Sequence, residues 1–127
     1  IYDAYRPWFV TKMFWEGTPE NLKHFVANPE NGSSHNKGCA IDIGLYDIKT
    51  GESIVMTSGY DEFTERAYPN YMGGSKKQRD IRDMLIRVMK KNDFTVYEYE
   101  WWHFNYNKCD SGIMNYSFSE LDSLNSV

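Results

Sequence analysis

The sequence predicts one small domain of the α+β class, in which helices and strands both occur. Its 127 residues match the usual size of a single domain and are enough to bury a hydrophobic core. Hydrophobic residues make up 41% and charged residues 25% of the chain, a composition typical of folded globular proteins and not of disordered tails. Two local patterns indicate the elements, a strand alternation around residue 43 and a helical periodicity around residue 84.

The clearest strand pattern runs from Cys39 to Ile48. Apolar residues occupy every second position between 41 and 45, so one face is predicted to pack on the core and Asp42 to lie on the opposite face. Thr50-Gly51 predicts a turn into a second strand over residues 53–57, which makes a hairpin.

Three further strands are predicted elsewhere in the chain. The first covers residues 1–5, and two more cover Phe94–Tyr99 and Trp102–Tyr106, with Glu100-Trp101 between them. Strand-forming aromatic and β-branched residues dominate the last two segments. Residues 58–74, rich in Gly, Pro and Asn, predict a long loop of the kind that carries function.

The best helix pattern extends from Ser75 to Asn92, with Ser75 as its N-cap. Its apolar residues recur with helical spacing and predict a buried stripe: Ile81, Met84, Leu85, Val88 and Met89. The opposite, solvent-facing side is predicted to carry Arg79, Arg82, Asp83 and Lys90. A short helix is also predicted to start with Thr18 as N-cap and Pro19 at its first helical position, and to end before Asn28.

Charge, cysteine content and chain start limit the function classes. A net charge of −4 argues against nonspecific nucleic-acid binding, and no apolar run approaches the roughly 18 residues of a transmembrane helix. Cys39 and Cys109 can form one disulfide or remain free thiols, and we expect free thiols because a core of this size needs no staple. The chain starts at Ile1 within an extended segment, so we expect a further segment upstream or on a companion chain.

Two histidines and one aspartate form a candidate metal site. Catalytic zinc takes three protein ligands and keeps a fourth position for water, and His35, Asp42 and His103 supply such a set. Gly38 allows the loop before the strand to turn tightly, so that His35 and Asp42 can meet. A solvated loop histidine is the alternative for His35 alone, whereas a buried carboxylate at Asp42 needs a cation or hydrogen-bond donors.

Glu100 lies three residues before His103. In a regular strand the two side chains would face opposite sides, so a bulge near Trp101 is needed for both to reach one site. The alternative for Glu100 is a surface carboxylate. We expect Trp101 and Trp102 to pack in the core, with a share in the pocket wall, and His24 to lie on the surface.

The spacing of these residues resembles that of a known family. Residues 33–42 match the SxHxxGxAxD motif of the zinc D-Ala-D-Ala peptidases, and residues 100–103, EWWH, match their second, ExxH-type motif. The segments DAYRP at 3–7 and SGYDEF at 58–63 resemble the VanX-type D-alanyl-D-alanine dipeptidases. The similarity runs from Ile1 to about Tyr106. It implies a small single domain with a central antiparallel sheet flanked by helices, a fold shared with the Hedgehog signalling domain.

The resemblance also implies the metal and the catalytic groups. One zinc ion per chain would be held by His35, Asp42 and His103. Glu100 is implied as the general base, and Arg6 as the residue that polarises the scissile carbonyl and steadies the tetrahedral intermediate.

Substrate recognition is implied for four further residues. Ser33 and Asp61 would receive the free amino terminus of the substrate, and Tyr60 and Phe63 would shape the pocket. The implied activity is hydrolysis of D-alanyl-D-alanine to two D-alanines, in the bacterial cytoplasm or periplasm. The implied partner is therefore a small dipeptide, with no nucleic acid and no membrane span.

Two other functions fit the same motifs. The first is a D,D- or L,D-carboxypeptidase with the same zinc chemistry and a longer peptidoglycan substrate. The second is a noncatalytic zinc-binding domain, against which Glu100 and Arg6 argue because neither is needed to hold a metal. The chain departs from the family in three respects: family members have helices and a strand ahead of residues 5–7, the stretch between Arg6 and Ser33 is shorter here, and Cys39 replaces another small residue.

Overall fold

The computed structural model describes residues 1–124 and has the predicted α+β architecture. Its helices are α1 (Trp8–Gly17), α2 (Lys76–Lys91) and α3 (Phe118–Leu124), with 3₁₀ helices at Glu20–Phe25, Ser34–Lys37 and Glu65–Ala67. Its strands are β1 (Ala40–Asp42), β2 (Phe94–Tyr97) and β3 (Glu100–Tyr106). They form an antiparallel sheet in the order β1-β3-β2. Within residues 1–124 no helix has the length and apolar character needed to cross a membrane.

The central strand β3 forms the middle of the hydrophobic core. Trp101, Trp102 and Phe104 are at most 1% exposed, which confirms the predicted core packing of the two tryptophans. The Trp101 Nε1–H also donates to Ser58 Oγ at 2.8 Å. Leu85 of α2 packs into the same core, so the sheet and the long helix share one apolar interior. The predicted buried stripe of α2 is wrong for Met84 and Val88, which are 40% and 48% exposed.

The register of the sheet brings the two halves of the sequence together. Asp42 of β1 lies opposite His103 of β3. Between Val96 and Tyr97 the pairing of β2 with β3 shifts, so that Tyr97 pairs with Glu100. This irregularity is the predicted bulge, and it allows side chains three positions apart on β3 to approach one site.

Helix α2 begins and ends where the sequence predicts. Ser75 caps it in a capping box with Gln78, which satisfies two backbone donors of the first turn. Arg82 was expected on the solvated face, and that expectation is wrong: it is 2% exposed. Its guanidinium donates to the carbonyl oxygen of Tyr71 at 2.7 Å and pairs with Asp83 at 2.8 Å, so the long loop covers it without leaving its charge unpaired.

The strands of the first half are shorter than the alternation predicts. The Cys39–Ile48 segment contributes only β1, its hairpin is reduced to a single bridge between Tyr46 and Ser53, and residues 1–5 contribute one bridge between Asp3 and Asp42. An alternating pattern predicts which face of a segment is buried. It does not predict which backbone N–H and C=O groups form hydrogen bonds with another strand. The predicted long loop over residues 58–74 is present, with one short 3₁₀ turn.

Helix α1 follows Pro7 and was not predicted, because its residues Trp8 to Trp15 are largely aromatic and β-branched and so have weak helix propensity. Tertiary contacts hold it, since the Trp8 N–H donates to the Met114 carbonyl at 3.2 Å. The predicted cap at Thr18 is wrong. Pro19 precedes the 3₁₀ helix instead, and the Thr18 hydroxyl donates back to the carbonyl of Phe14 at 2.7 Å, closing α1.

Cys39 and Cys109 form a disulfide, so the expectation of free thiols is wrong. The bond joins the residue before β1 to the segment after β3. At the end of β3, the Tyr106 N–H donates to the Cys39 carbonyl at 2.8 Å, which brings the two cysteines close together. Sequence spacing cannot reveal this proximity because 70 residues separate the two cysteines. The strand pairing creates it.

Removal of the disulfide should destabilise the fold strongly. The double variant Cys39→Ser, Cys109→Ser should lose about 2–5 kcal/mol of unfolding free energy, since the cross-link restricts the unfolded chain. For a chain of this length that loss corresponds to a fall of about 7–19 °C in Tm, measured by circular dichroism. Wild type scanned with a reductant should match the double variant. Equal Tm values for oxidised and reduced wild type would contradict this prediction.

Candidate metal centre

Three ligand atoms from separate elements converge in the structure. Asp42 Oδ1 lies 3.2 Å from His35 Nε2 and 3.0 Å from His103 Nδ1. The two histidine nitrogens are 3.1 Å apart. Ligands bonded to a tetrahedral zinc ion at about 2.0–2.1 Å lie about 3.4 Å from one another. The three ligand atoms therefore already have nearly the separation that one shared metal ion requires. They form a group of potential metal ligands, made up of His35, Asp42 and His103.

Local geometry places His35 at this point. The Ser33 hydroxyl accepts the His35 N–H at 3.2 Å, and the Asn36 side chain accepts the Ser33 N–H at 2.8 Å. Gly38 ends the short helix with a φ of +64°, a conformation that favours glycine. The predicted tight turn before β1 is therefore present, and it brings the loop histidine next to the strand carboxylate.

Both imidazole rings are oriented by outer hydrogen bonds. His35 Nδ1 lies 2.6 Å from the carbonyl oxygen of Ala4, and His103 Nε2 lies 3.1 Å from Asn105 Oδ1. Because these oxygens accept, each ring carries its proton there and presents the lone pair of its other nitrogen to the centre. Metal-binding histidines are held in the same way in other proteins.

Asp42 supplies a further test of the fit to a cation. Its side chain is 3% exposed, and Oδ1 receives no well-aligned hydrogen bond from the described residues. Because a buried carboxylate needs hydrogen-bond donors or a cation, an oxygen without a donor is the atom whose charge a metal ion would compensate. The three residues thus fit a metal ion.

Tyr60 contacts the carboxylate oxygen of Asp42 that does not face the two histidines. Its hydroxyl donates to Asp42 Oδ2 at 3.1 Å. Burial, with the nearby Asp42 charge, raises the pKa of Tyr60 above its ordinary value, so the hydroxyl keeps its proton and remains a donor.

Glu100 lies beside the centre without belonging to the ligand group. Its Oε2 is 3.9 Å from His103 Nδ1, and its side chain is 9% exposed, so the surface-carboxylate alternative does not fit. Burial raises the pKa of Glu100 to about 8, although His103 lowers it. A buried carboxylate with a pKa near neutrality is suited to take up and release a proton.

Arg6 is fixed by an ion pair and an aromatic contact. Its Nε donates to Asp3 Oδ2 at 2.8 Å and its Nη2 lies 2.6 Å from the same oxygen. The guanidinium carbon stands 4.9 Å from the centre of the Phe14 ring. These contacts restrict the side chain, so Arg6 presents a preorganised positive charge to the cavity beside the metal centre.

A cavity of about 460 Å³ opens on this centre. It brings together almost all of the predicted site residues: Arg6, Ser33, His35, Asp42, Asp61, Phe63, Glu100 and His103. Tyr60 is not part of the lining, and neither are the two core tryptophans. An apolar wall that the sequence did not indicate completes the cavity: Met13, Phe14, Phe25, Val26 and Ala27. Sequence reasoning also missed Asn105, although its position two residues after His103 on one strand predicts a shared face.

Asp61 occupies the loop after Tyr60 with a φ of +56°, which asparagine and aspartate tolerate better than most residues. The Gly59 N–H donates to Glu62 Oε2 at 2.9 Å and keeps this turn closed. Burial raises the pKa of Asp61, and the charge of Asp42 raises it further. The cavity therefore holds an acidic group outside the candidate ligand group, where a positively charged group would be stabilised.

Comparison with known proteins agrees with the site. Residues 1–123 match the peptidase family described as D-Ala-D-Ala dipeptidase. The D-alanyl-D-alanine dipeptidase of Escherichia coli is 35% identical, over 82% of this chain and 52% of its own length. Those of Enterococcus faecium and Enterococcus faecalis are 32% and 30% identical, over 82% of this chain and 59% of their own lengths. The chain thus spans between half and three fifths of these relatives. Since the family match covers nearly all of the chain, this protein belongs to the D-Ala-D-Ala dipeptidase family of peptidases.

Proposed function

We propose that this chain forms the catalytic centre of a zinc dipeptidase that hydrolyses D-alanyl-D-alanine to two D-alanines. The observation that carries the proposal is the buried Glu100, 3.9 Å from one histidine of a three-residue metal centre. A noncatalytic metal domain has no need of such a carboxylate. The family match and the names of the relatives support this substrate.

We assign one zinc ion per chain to His35, Asp42 and His103. Two imidazoles and one carboxylate form a three-ligand set that is common in catalytic zinc sites. Zinc, when bound, lowers the pKa of water and polarises a carbonyl oxygen.

Glu100 acts as the general base and then as the acid. Its carboxylate takes a proton from the attacking water and delivers that proton to the nitrogen of the leaving D-alanine. The pKa of about 8 describes the side chain without a metal, and a neighbouring cation lowers the pKa of a carboxyl group. A metal ion at the centre would therefore favour the ionised carboxylate that the role of base requires.

Arg6 donates to the oxygen of the scissile carbonyl as negative charge develops there. Its ion pair with Asp3 holds the guanidinium in place before the substrate binds. One donor of this kind typically contributes about 10²–10³ in rate.

Asp61 and Ser33 receive the ammonium group of the dipeptide. Both line the cavity, and the Ser33 hydroxyl, which accepts from the His35 N–H, still has its own proton and a second lone pair. Phe63 contributes an apolar surface to the same cavity. The Asp61 carboxylate would pair with the positive charge of a free amino terminus, so a free dipeptide is preferred to an acylated one.

The variant Asp61→Asn should raise KM for D-Ala-D-Ala about tenfold to a hundredfold, because it replaces a charged hydrogen bond with a neutral one. Zinc content should stay unchanged, since Asp61 lies outside the ligand group. Steady-state kinetics and metal analysis on one preparation measure both. Asp80→Asn, an exposed carboxylate on α2, is the control. An unchanged kcat/KM in Asp61→Asn would exclude the ammonium role.

The activity itself is tested by D-alanine release from D-Ala-D-Ala, with and without a chelator and with zinc added back. We expect release that the chelator stops and zinc restores. An acylated peptide ending in D-Ala-D-Ala is assayed in parallel. Faster release from that peptide would favour a D,D-carboxypeptidase.

The Cys39–Cys109 disulfide favours an oxidising compartment such as the periplasm.

A further inference from the structure

We propose that Tyr60 is a positioning residue for the metal ligand Asp42, and that its hydroxyl selects the carboxylate oxygen that faces the metal. The hydroxyl donates to Oδ2 at 3.1 Å. The other oxygen, Oδ1, lies 3.0 and 3.2 Å from the two histidine nitrogens. The hydrogen bond thus occupies one oxygen and leaves the other for the ion. Zinc carboxylates bind through one oxygen or through both, and Tyr60 favours the first mode.

The Tyr60 ring is held firmly enough to act in this way. The ring of Tyr2 stacks on it at 4.3 Å and 18°, and the ring of Trp102 meets it edge-on at 5.6 Å. Tyr2 is itself anchored, since its N–H donates to the Asp42 carbonyl at 2.8 Å. A Cβ atom at Gly44 would lie 2.5 Å from the Tyr2 hydroxyl, so the absence of a side chain at Gly44 leaves room for the Tyr2 ring in this position. The hydroxyl of Tyr60 is therefore aimed by packing.

Tyr60 completes a set of outer partners around the centre. The Ala4 carbonyl holds His35 and the Asn105 side chain holds His103, and Tyr60 does the same for the third ligand. Outer partners of this kind orient the ligands, and their loss typically weakens metal binding or activity by about 10–100-fold. Tyr60 lies outside the cavity lining, so its removal should act on the metal and not on substrate contacts. The inference rests on the metal centre of the proposed function but not on its substrate.

The test is zinc affinity in Tyr60→Phe, which removes the hydroxyl and keeps the packed ring. Competition with a chromogenic chelator should show affinity about 10–100-fold weaker than wild type. The matched control is Tyr2→Phe, which removes a hydroxyl from the stacked neighbour, and its affinity should stay within about twofold of wild type. Circular dichroism of the metal-free variants checks that both fold.

Cobalt(II) substitution supplies a second measurement. When Asp42 binds through one oxygen, the site is close to tetrahedral and its visible absorption is intense. In Tyr60→Phe the carboxylate is free to bind through both oxygens, so those bands should weaken. Tyr2→Phe should keep the wild-type spectrum.

Several results would overturn the proposal. They are zinc affinity and a cobalt spectrum like those of wild type in Tyr60→Phe, an equal loss of affinity in Tyr2→Phe, or wild-type protein that binds no zinc. The equal loss would mean that ring packing, and not the hydroxyl, supports the centre. Wild-type protein that binds zinc but leaves D-Ala-D-Ala intact would refute the proposed substrate, and the comparison of the two variants would still decide the role of Tyr60.

Discussion

Glu100→Gln should lower kcat for D-Ala-D-Ala by about 10²–10⁴, the usual contribution of a positioned general base. Glutamine has nearly the same size but cannot take up the proton of the attacking water. The bound zinc should stay at one ion per chain, because Glu100 lies 3.9 Å from a ligand atom and outside the ligand group. Turnover and bound zinc are measured on the same preparation.

Glu98→Gln is the matched control for this experiment. Glu98 lies two residues earlier in the chain and is exposed, so the same chemical change there should leave kcat close to wild type. Near-normal turnover in Glu100→Gln would refute its role as the base. Loss of zinc together with activity would mean that Glu100 is itself a ligand.

The second large effect is expected for His103→Ala. With one of three ligands removed, zinc binding should fall by more than the 10–100-fold typical of an outer partner, and dipeptide hydrolysis should fall with it. Elemental analysis after dialysis, followed by a D-alanine assay, measures both quantities. The remaining pair, His35 and Asp42, has too few donors to hold the ion in a closed site.

His24→Ala is the control for the loss of an imidazole. His24 is exposed and its ring packs on Phe25 and Tyr99. It belongs neither to the candidate ligand group nor to the cavity lining, so zinc content and activity should match wild type. Unchanged metal content in His103→Ala would refute the assignment of His103 as a ligand.

Local chemistry explains which parts of the fold were predictable. The capping box at Ser75 and the apolar stripe ending at Met89 define α2 within a few neighbouring residues, so no distant contact was needed to find this helix. The spacing of His35 and Asp42 around Gly38 is equally local. The bulge was predictable because Glu100 and His103 cannot face one site on a regular strand.

Other features depended on which segments meet in space. The length of β1, the burial of Arg82 and the Cys39–Cys109 bond all arise from contacts between residues distant in the sequence. Hydrophobic periodicity does not predict these contacts. Each one depends on whether a backbone group, a charged side chain or a thiol lies close to a suitable group from a distant part of the chain.

The same division applies to the metal centre. The two motifs at residues 33–42 and 100–103 were enough to predict the candidate ligands, the adjacent carboxylate and the family, because each motif is a set of residue types at short, fixed spacings. The contacts that hold the candidate ligands could not be predicted, because they join distant segments: the Tyr60 hydroxyl contacts Asp42 across 18 positions, and the Ala4 carbonyl contacts His35 across 31. Hydrogen bonds are directional and short, so such partners are set by the packing of the folded chain.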